Sequence, residues 1–128
     1  MPKANNLITI SKLDHTWLID LDGTILKHNG HLNGQDELLP GVKDFFENIP
    51  TEDYIILLTA RSEEYKNITI QFLNKMGIRY DKAIFNLPKG ERILINDRKP
   101  AGLKTAIAVN LERNLGILTL KIDVDKNL

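Results

Sequence analysis

Thr16-Trp17-Leu18-Ile19-Asp20-Leu21-Asp22-Gly23-Thr24 is the stretch whose reading decides the fold. Three large apolar residues run into two carboxylates one residue apart, and a glycine and a hydroxyl follow. A short apolar run bounded by turn-formers reads as a strand buried on both faces. The strand is expected over residues 17–20, ending on Asp20. Alternate residues of a strand share a face, so the pattern continued to Asp22 projects both carboxylates toward one site. A bend after Asp20 would offer a backbone carbonyl there instead. Two carboxylates this close repel unless a cation or a shared proton lies between them. A solvated Asp-x-Asp turn is the plain alternative, and the residues downstream decide between the two.

Working outward, Leu7-Ile8-Thr9-Ile10-Ser11 reads as a short edge strand, after a polar, frayed start over residues 1–6. Residues 25–41 carry Asn29-Gly30 and Asn33-Gly34, two tight-turn signals, and predict a small β-hairpin flap over the carboxyl end of the first strand. Val42, Phe45, Phe46 and Ile49 recur on one helical face, and Pro50 stops that helix. Residues 54–59 form a second buried strand ending on Thr59. Ser62 is the expected N-cap of a second helix, with Glu63 and Glu64 in its first turn. Tyr65, Ile68, Phe72, Leu73 and Met76 are its expected buried stripe, and Gly77 its C-terminal cap. Further strands are expected over 82–85, 92–97 and 105–110, then a helical turn over 111–116. Leu118, Leu120, Ile122 and Val124 alternate with polar residues, as in a last strand with one wet face, and a tail follows over 125–128.

Strands alternating with helices predict one α/β domain over residues 1–128: a Rossmann-like three-layer sandwich with a mainly parallel central sheet and helices on both faces. In such sheets ligands bind beyond the carboxyl ends of the strands. Three apolar runs end there in functional side chains: Asp20 with Asp22, Thr59, and Asn96 with Asp97.

Composition narrows the classes. Seventeen Lys and Arg balance 17 Asp and Glu, which gives no electrostatic case for nucleic acid or an anionic membrane as partner. The absence of cysteine excludes disulfides and thiolate chemistry. No apolar run approaches a membrane span, and residues 1–6 lack the apolar core of a leader. A cytoplasmic protein is expected.

Ile19-Asp20-Leu21-Asp22-Gly23-Thr24 resembles the signature of the haloacid dehalogenase superfamily, magnesium-dependent phosphohydrolases with an aspartate nucleophile. Ile93-Leu94-Ile95-Asn96-Asp97-Arg98 resembles the Ile-Asp-Asp-Arg ending of some of its small-substrate phosphatases. The resemblance implies Asp20 as nucleophile, forming an acyl-phosphate. Asp22 would protonate the leaving oxygen, then act as base on the hydrolytic water. An acid at this position points to phosphoryl transfer, since the dehalogenase branch lacks it. Gly23 would let the backbone approach the phosphoryl group, Thr24 would brace the loop, and Thr59 with the amide of Ala60 would donate to the phosphoryl oxygens. Lys89 stands for the family's lysine, with Lys82 as the alternative. Asp20, Asp22 and Asp97 would hold Mg2+. Where the family usually shows two acids, this chain has Asn96 before Asp97, one negative charge fewer.

His28 and His31 in the flap would touch the leaving group or be solvated. Arg61, Arg98 and Lys99 would grip a second anionic group on the substrate or lie in solvent. Residues 25–41 leave no room for a cap. Capless members accept large substrates or borrow a neighbouring subunit as a lid, which makes a homo-oligomer worth testing. The implied substrate is a small phosphorylated metabolite, a sugar phosphate or related biosynthetic intermediate. A phospho-acceptor receiver module is one rival, but no aspartate ends a strand between Asp22 and Thr59. A non-catalytic module that binds a phosphorylated ligand or a protein is the other, and Asn96 favours it.

Overall fold

The strand read over residues 17–20 is β2 (Thr16–Asp20), here in a computed structural model that describes residues 6–128. The start read over 1–6 lies outside the described residues apart from Asn6. β2 pairs in parallel with β3 (Tyr54–Leu58), Ile19 opposite Leu57 and Asp20 opposite Leu58. β3 pairs in parallel with β4 (Lys82–Ile84). Helix α1 (Val42–Glu47) connects β2 to β3, and a 3-10 turn (Glu63–Tyr65) leading into α2 (Lys66–Lys75) connects β3 to β4. The order β2-β3-β4 makes both crossovers step the same way, and right-handed connections then put both helices on one face. Burial follows that arrangement. Ile19, Ile55 and Leu57 form one core with Val42 and Phe46 of α1 and Leu73 of α2. Leu18, on the other face, is 47% exposed. The expected strand buried on both faces and helices on both sides are therefore corrected: this sheet is covered on one side, and its side chains alternate accordingly.

A second sheet pairs β1 (Asn6–Ile10) with β5 (Leu120–Val124), again in parallel, from Asn6 opposite Leu120 to Ile10 opposite Val124. The first and last expected strands are thus present, in a sheet of their own and not in one central sheet. The class is a small α/β protein with parallel sheets and no closed barrel.

The strands expected over 92–97 and 105–110 do not form, and in place of the helical turn expected over 111–116 a tight turn closes from the Leu115 amide to the Glu112 carbonyl, with Asn114 left-handed (φ +65°). Ile93 and Ile95 are 83% and 88% exposed. The physical reason lies at the start of the run. Arg92 is ion-paired to Asp20, at the carboxyl end of β2. Past that anchor the segment pairs with neither sheet, so its amide and carbonyl groups find no ladder, and without one a strand does not exist.

The flap is a hairpin in miniature. Leu26 bridges Leu38 in antiparallel fashion, and the Lys27 amide donates to the Glu37 carbonyl. Ile25 and Leu26 are fully buried, so its base is core. Gly116 (φ +81°) rests on that base, where a Cβ would lie 2.1 Å from the Pro40 carbonyl oxygen.

On α2 the expected stripe shifts: Ile68 is half exposed, and Thr69 is buried in its place. Ser62 stands at the N-cap position with no side-chain capping bond. Gly77 takes the left-handed conformation (φ +73°) expected of the C-terminal cap, and Lys43 Nζ donates to the Met76 carbonyl beside it.

Candidate active site

The chain bends where β2 ends. The Leu21 carbonyl accepts from the amides of Thr24, Ile25 and Leu26, which turns Asp22-Gly23-Thr24 into a tight loop. Gly23 allows this with φ +84°. The loop separates the two carboxylates by partner. Asp20 Oδ1 accepts from Arg92 at 2.9 Å, and Asp20 Oδ2 accepts from the Thr24 hydroxyl at 3.1 Å. Asp22 turns toward Arg61, whose Nε donates to its two oxygens at 3.3 and 3.1 Å and whose second amino group donates at 2.9 Å. Both aspartates, with Gly23, Thr24, Arg92 and Arg113, still line one open cleft of about 840 Å³ beside the unpaired edge of β2.

Arg61 is neither a substrate grip nor solvated, the two roles its sequence position suggested. It is 4% exposed. Besides Asp22 it donates to Asp36 at 2.7 and 3.0 Å and to the Thr69 hydroxyl at 2.8 Å. A guanidinium carries five N–H groups, and these bonds engage all of them. Burial alone would lower its pKa; the hydrogen bonds to Asp36 and Asp22 outweigh that and hold it above its usual value. Sequence reasoning missed Asp36 and Thr69. The available signal was the arginine itself: one in the turn just past a buried strand, once buried, needs carboxylates and hydroxyls from elsewhere in the chain.

His31 joins this cluster. Its ring packs edge-on against Tyr65 with centroids 4.6 Å apart, and its Nδ1 lies 4.0 Å from Asp22 Oδ1. The Nδ1 atoms of His31 and His28 are buried without a hydrogen-bond partner. Desolvation lowers the pKa of His31, and the Arg61 charge lowers it further, against the opposing pull of Asp22 and Asp36.

Thr59 lies one residue past the end of β3, is 1% exposed, and its hydroxyl accepts from the Arg61 amide. Ala60 follows it, half-buried. Lys89, Asn96, Asp97, Arg98 and Lys99 are all exposed on the irregular segment. Asn96 donates to the Thr105 carbonyl, and the Thr105 hydroxyl donates to the Asp97 carbonyl, so this stretch closes on itself. Lys82 begins β4 opposite Ile56, two residues short of the level of Leu58 and Asp20. The cation that meets the first aspartate is Arg92, which the sequence did not single out.

Magnesium takes several oxygen ligands, commonly from one or two carboxylates and the substrate. Among the described residues no three His, Asp or Glu side chains converge on such a site. Both Asp20 oxygens and both Asp22 oxygens accept hydrogen bonds from side chains, and the set Asp20, Asp22 and Asp97 is not brought together. The residues as arranged do not fit the cation.

No family model, curated protein or solved structure matches this chain. Among the described residues no helix is long and apolar enough to cross a membrane.

Proposed function

We propose that this chain is a phosphomonoester hydrolase of the haloacid dehalogenase type, with Asp20 as nucleophile. The observation that carries the reading is the placement of Asp20, partly exposed, beside Asp22 at the carboxyl end of a parallel strand, on an open cleft. Asp20 attacks phosphorus, the leaving oxygen departs, and an aspartyl-phosphate results. Water then attacks this intermediate, and Asp22 takes the proton. Arg92 offsets negative charge at Asp20, the task the resemblance gives to Lys89. The substrate class is a small phosphorylated metabolite, a sugar phosphate foremost. The resemblance implies magnesium, whereas the side chains as arranged do not fit it, so no step is assigned to the cation and the assay is run with and without it.

The test is phosphate release from a panel of sugar phosphates, nucleotides and an aryl phosphate, with and without magnesium, with Asp20→Asn as control. Release that Asp20→Asn abolishes supports the reading. No release from folded protein overturns it and moves weight to a second reading, a non-catalytic module that binds a phosphorylated ligand. The feature favouring that second reading is Arg92, which closes one oxygen of Asp20.

A further inference from the structure

The second arginine on the cleft bears on which phosphate esters the site accepts, a step that rests on the hydrolase reading above. Arg61, Arg98 and Lys99 are the cations expected to grip a second anionic group of the substrate, and the structure places none of them to do so. Arg61 is buried with every N–H engaged. Arg98 and Lys99 do not line the cleft that holds Asp20, whereas Arg113 does. Its neighbour Asn114, left-handed at φ +65°, fastens that segment to the site from two sides. The Asn114 amide donates to the Gly23 carbonyl at 2.9 Å, and the Asn114 side-chain oxygen accepts from the His28 amide at 2.7 Å. The stem of Arg113 lies on Gly23: a Cβ there would stand 3.2 Å from Arg113 Cγ and 3.8 Å from its Nε. Gly23 therefore serves both the turn after β2 and the close approach of an arginine.

The charges around the cleft differ in what they already hold. Asp20 is paired with Arg92, and Asp22 with Arg61. Glu91 also lines the cleft. Among the described residues Arg113 forms no ion pair with any acid. A guanidinium is always charged, and its planar fork matches a carboxylate or a phosphate through two parallel N–H bonds. Gly23 follows Asp20 by three residues, a span of about 10 Å at full extension and less in a turn. A small molecule whose phosphoryl group meets Asp20 can therefore reach Arg113 with a second acid group a few bonds away. We propose that Arg113 selects phosphate esters that carry a second anionic group, a carboxylate or a further phosphate, and binds that group with its guanidinium. The ligand then lies across the Asp22-Gly23-Thr24 loop. Arg92 does not take this part, because it already donates to Asp20 at 2.9 Å. The anchoring of Asn114 reduces the ordering that binding would otherwise cost. The second anion does not react, so its grip is expected in KM more than in kcat.

The experiment measures kcat/KM of the full chain for two matched pairs of esters: phosphoglycerate against glycerol phosphate, and a hexose bisphosphate against the corresponding hexose monophosphate. The first pair adds a carboxylate and the second a phosphate, so together they say which anion Arg113 takes. Wild type is expected to prefer the member with the second anion in at least one pair. In Arg113→Gln that preference is expected to fall by about 10- to 100-fold, the worth of a hydrogen bond to a charged group. Arg113→Lys keeps the charge and loses the fork, and is expected to retain part of the preference, which a merely structural role would not give. Ratios in Arg113→Gln equal to those of wild type, in both pairs, overturn the inference and leave the hydrolase reading standing. No turnover of any ester by folded wild type overturns the hydrolase reading alone. The same ratios, taken from Kd by calorimetry on wild type and Arg113→Gln, then decide the inference for a bound ligand: a fall supports it and equality overturns it. If Arg113→Gln does not fold, the ratios in Arg113→Lys decide in the same way.

Discussion

Arg61 joins Asp22 and Asp36 through one guanidinium, its amino group 2.9 Å from the first carboxylate and 2.7 Å from the second. Asp36 comes from the flap, Asp22 from the loop after β2, and Arg61 from the end of β3, so three segments distant in sequence meet at one buried charge. Removing Asp36 leaves two of the Arg61 N–H groups without their carboxylate in the interior, with Asp22 as the remaining partner, and breaking such a buried pair costs more than the pair contributes when intact. Asp36→Ala is expected to destabilise the protein by about 3–5 kcal/mol, and Asp36→Asn by less because an amide oxygen still accepts. Urea unfolding followed by circular dichroism checks this. A loss below about 1 kcal/mol, the range of exposed pairs, would mean that the flap does not depend on Arg61.

His31 makes the same region sensitive to pH. Its pKa is held below the usual 6.5 in the folded chain by burial and by Arg61. Below that value the unfolded chain takes up a proton more readily than the folded one. The contribution of His31 is therefore complete above the unfolded value and lost as pH falls through the folded one. The urea midpoint of wild type is expected to drop between about pH 7.5 and about pH 5 by more than that of His31→Leu. Identical pH dependence in the two proteins would remove His31 as the cause.

Much of this architecture was legible in the sequence, and the limits are physical. β2, β3, α1 and the cap at Gly77 follow from apolar period and from turn chemistry, which are local. The segment after β4 was misread because Ile93-Leu94-Ile95 has strand composition, whereas strand formation depends on a neighbour that composition does not name. The sidedness of the sheet was hidden for a related reason: Trp17-Leu18-Ile19 is apolar throughout, so alternation of burial came only with the strand order. At the candidate site, Asp20, Asp22 and Thr59 were singled out by their position at the ends of apolar runs, and Thr24 by the resemblance. Asp36, Thr69 and Arg92 were not, since each is defined by a tertiary partner that local pattern does not name: Arg61 for Asp36 and Thr69, and for Arg92 Asp20, 72 residues away.

The Arg92–Asp20 pair is partly exposed on both sides, so its effect should be on chemistry and not on stability. Exposed ion pairs contribute about 0–1 kcal/mol, and Arg92→Gln is expected to unfold within that range of wild type. In phosphate release, the variant loses a cation beside the nucleophile, and removal of such an electrostatic group costs on the order of 10²–10³ in kcat. Increased activity would identify Arg92 as a block on Asp20 instead. Initial rates across a range of substrate concentrations separate the two, because a block lowers substrate access and raises KM.

Residues 92–97 supply the sharpest contrast between composition and environment. Ile95 is 88% exposed, whereas Leu57, an aliphatic residue of the same size on β3, is fully buried. Truncating a buried leucine to alanine removes transfer energy and leaves a cavity, typically about 2–5 kcal/mol in all. Substitution on an open surface usually changes stability by no more than about 0.5 kcal/mol. Leu57→Ala should therefore lower the urea midpoint strongly, and Ile93→Ser and Ile95→Ser should leave it nearly unchanged. Losses at Ile93 and Ile95 comparable to that at Leu57 would show the segment packed against the free edge of β2 in solution. Arg92 would then be drawn away from Asp20, since five residues of extended chain from 92 to 97 span roughly 16 Å. The same shift would bring Asp97 toward the end of β2, so these two surface substitutions also probe whether a third carboxylate can reach the candidate site.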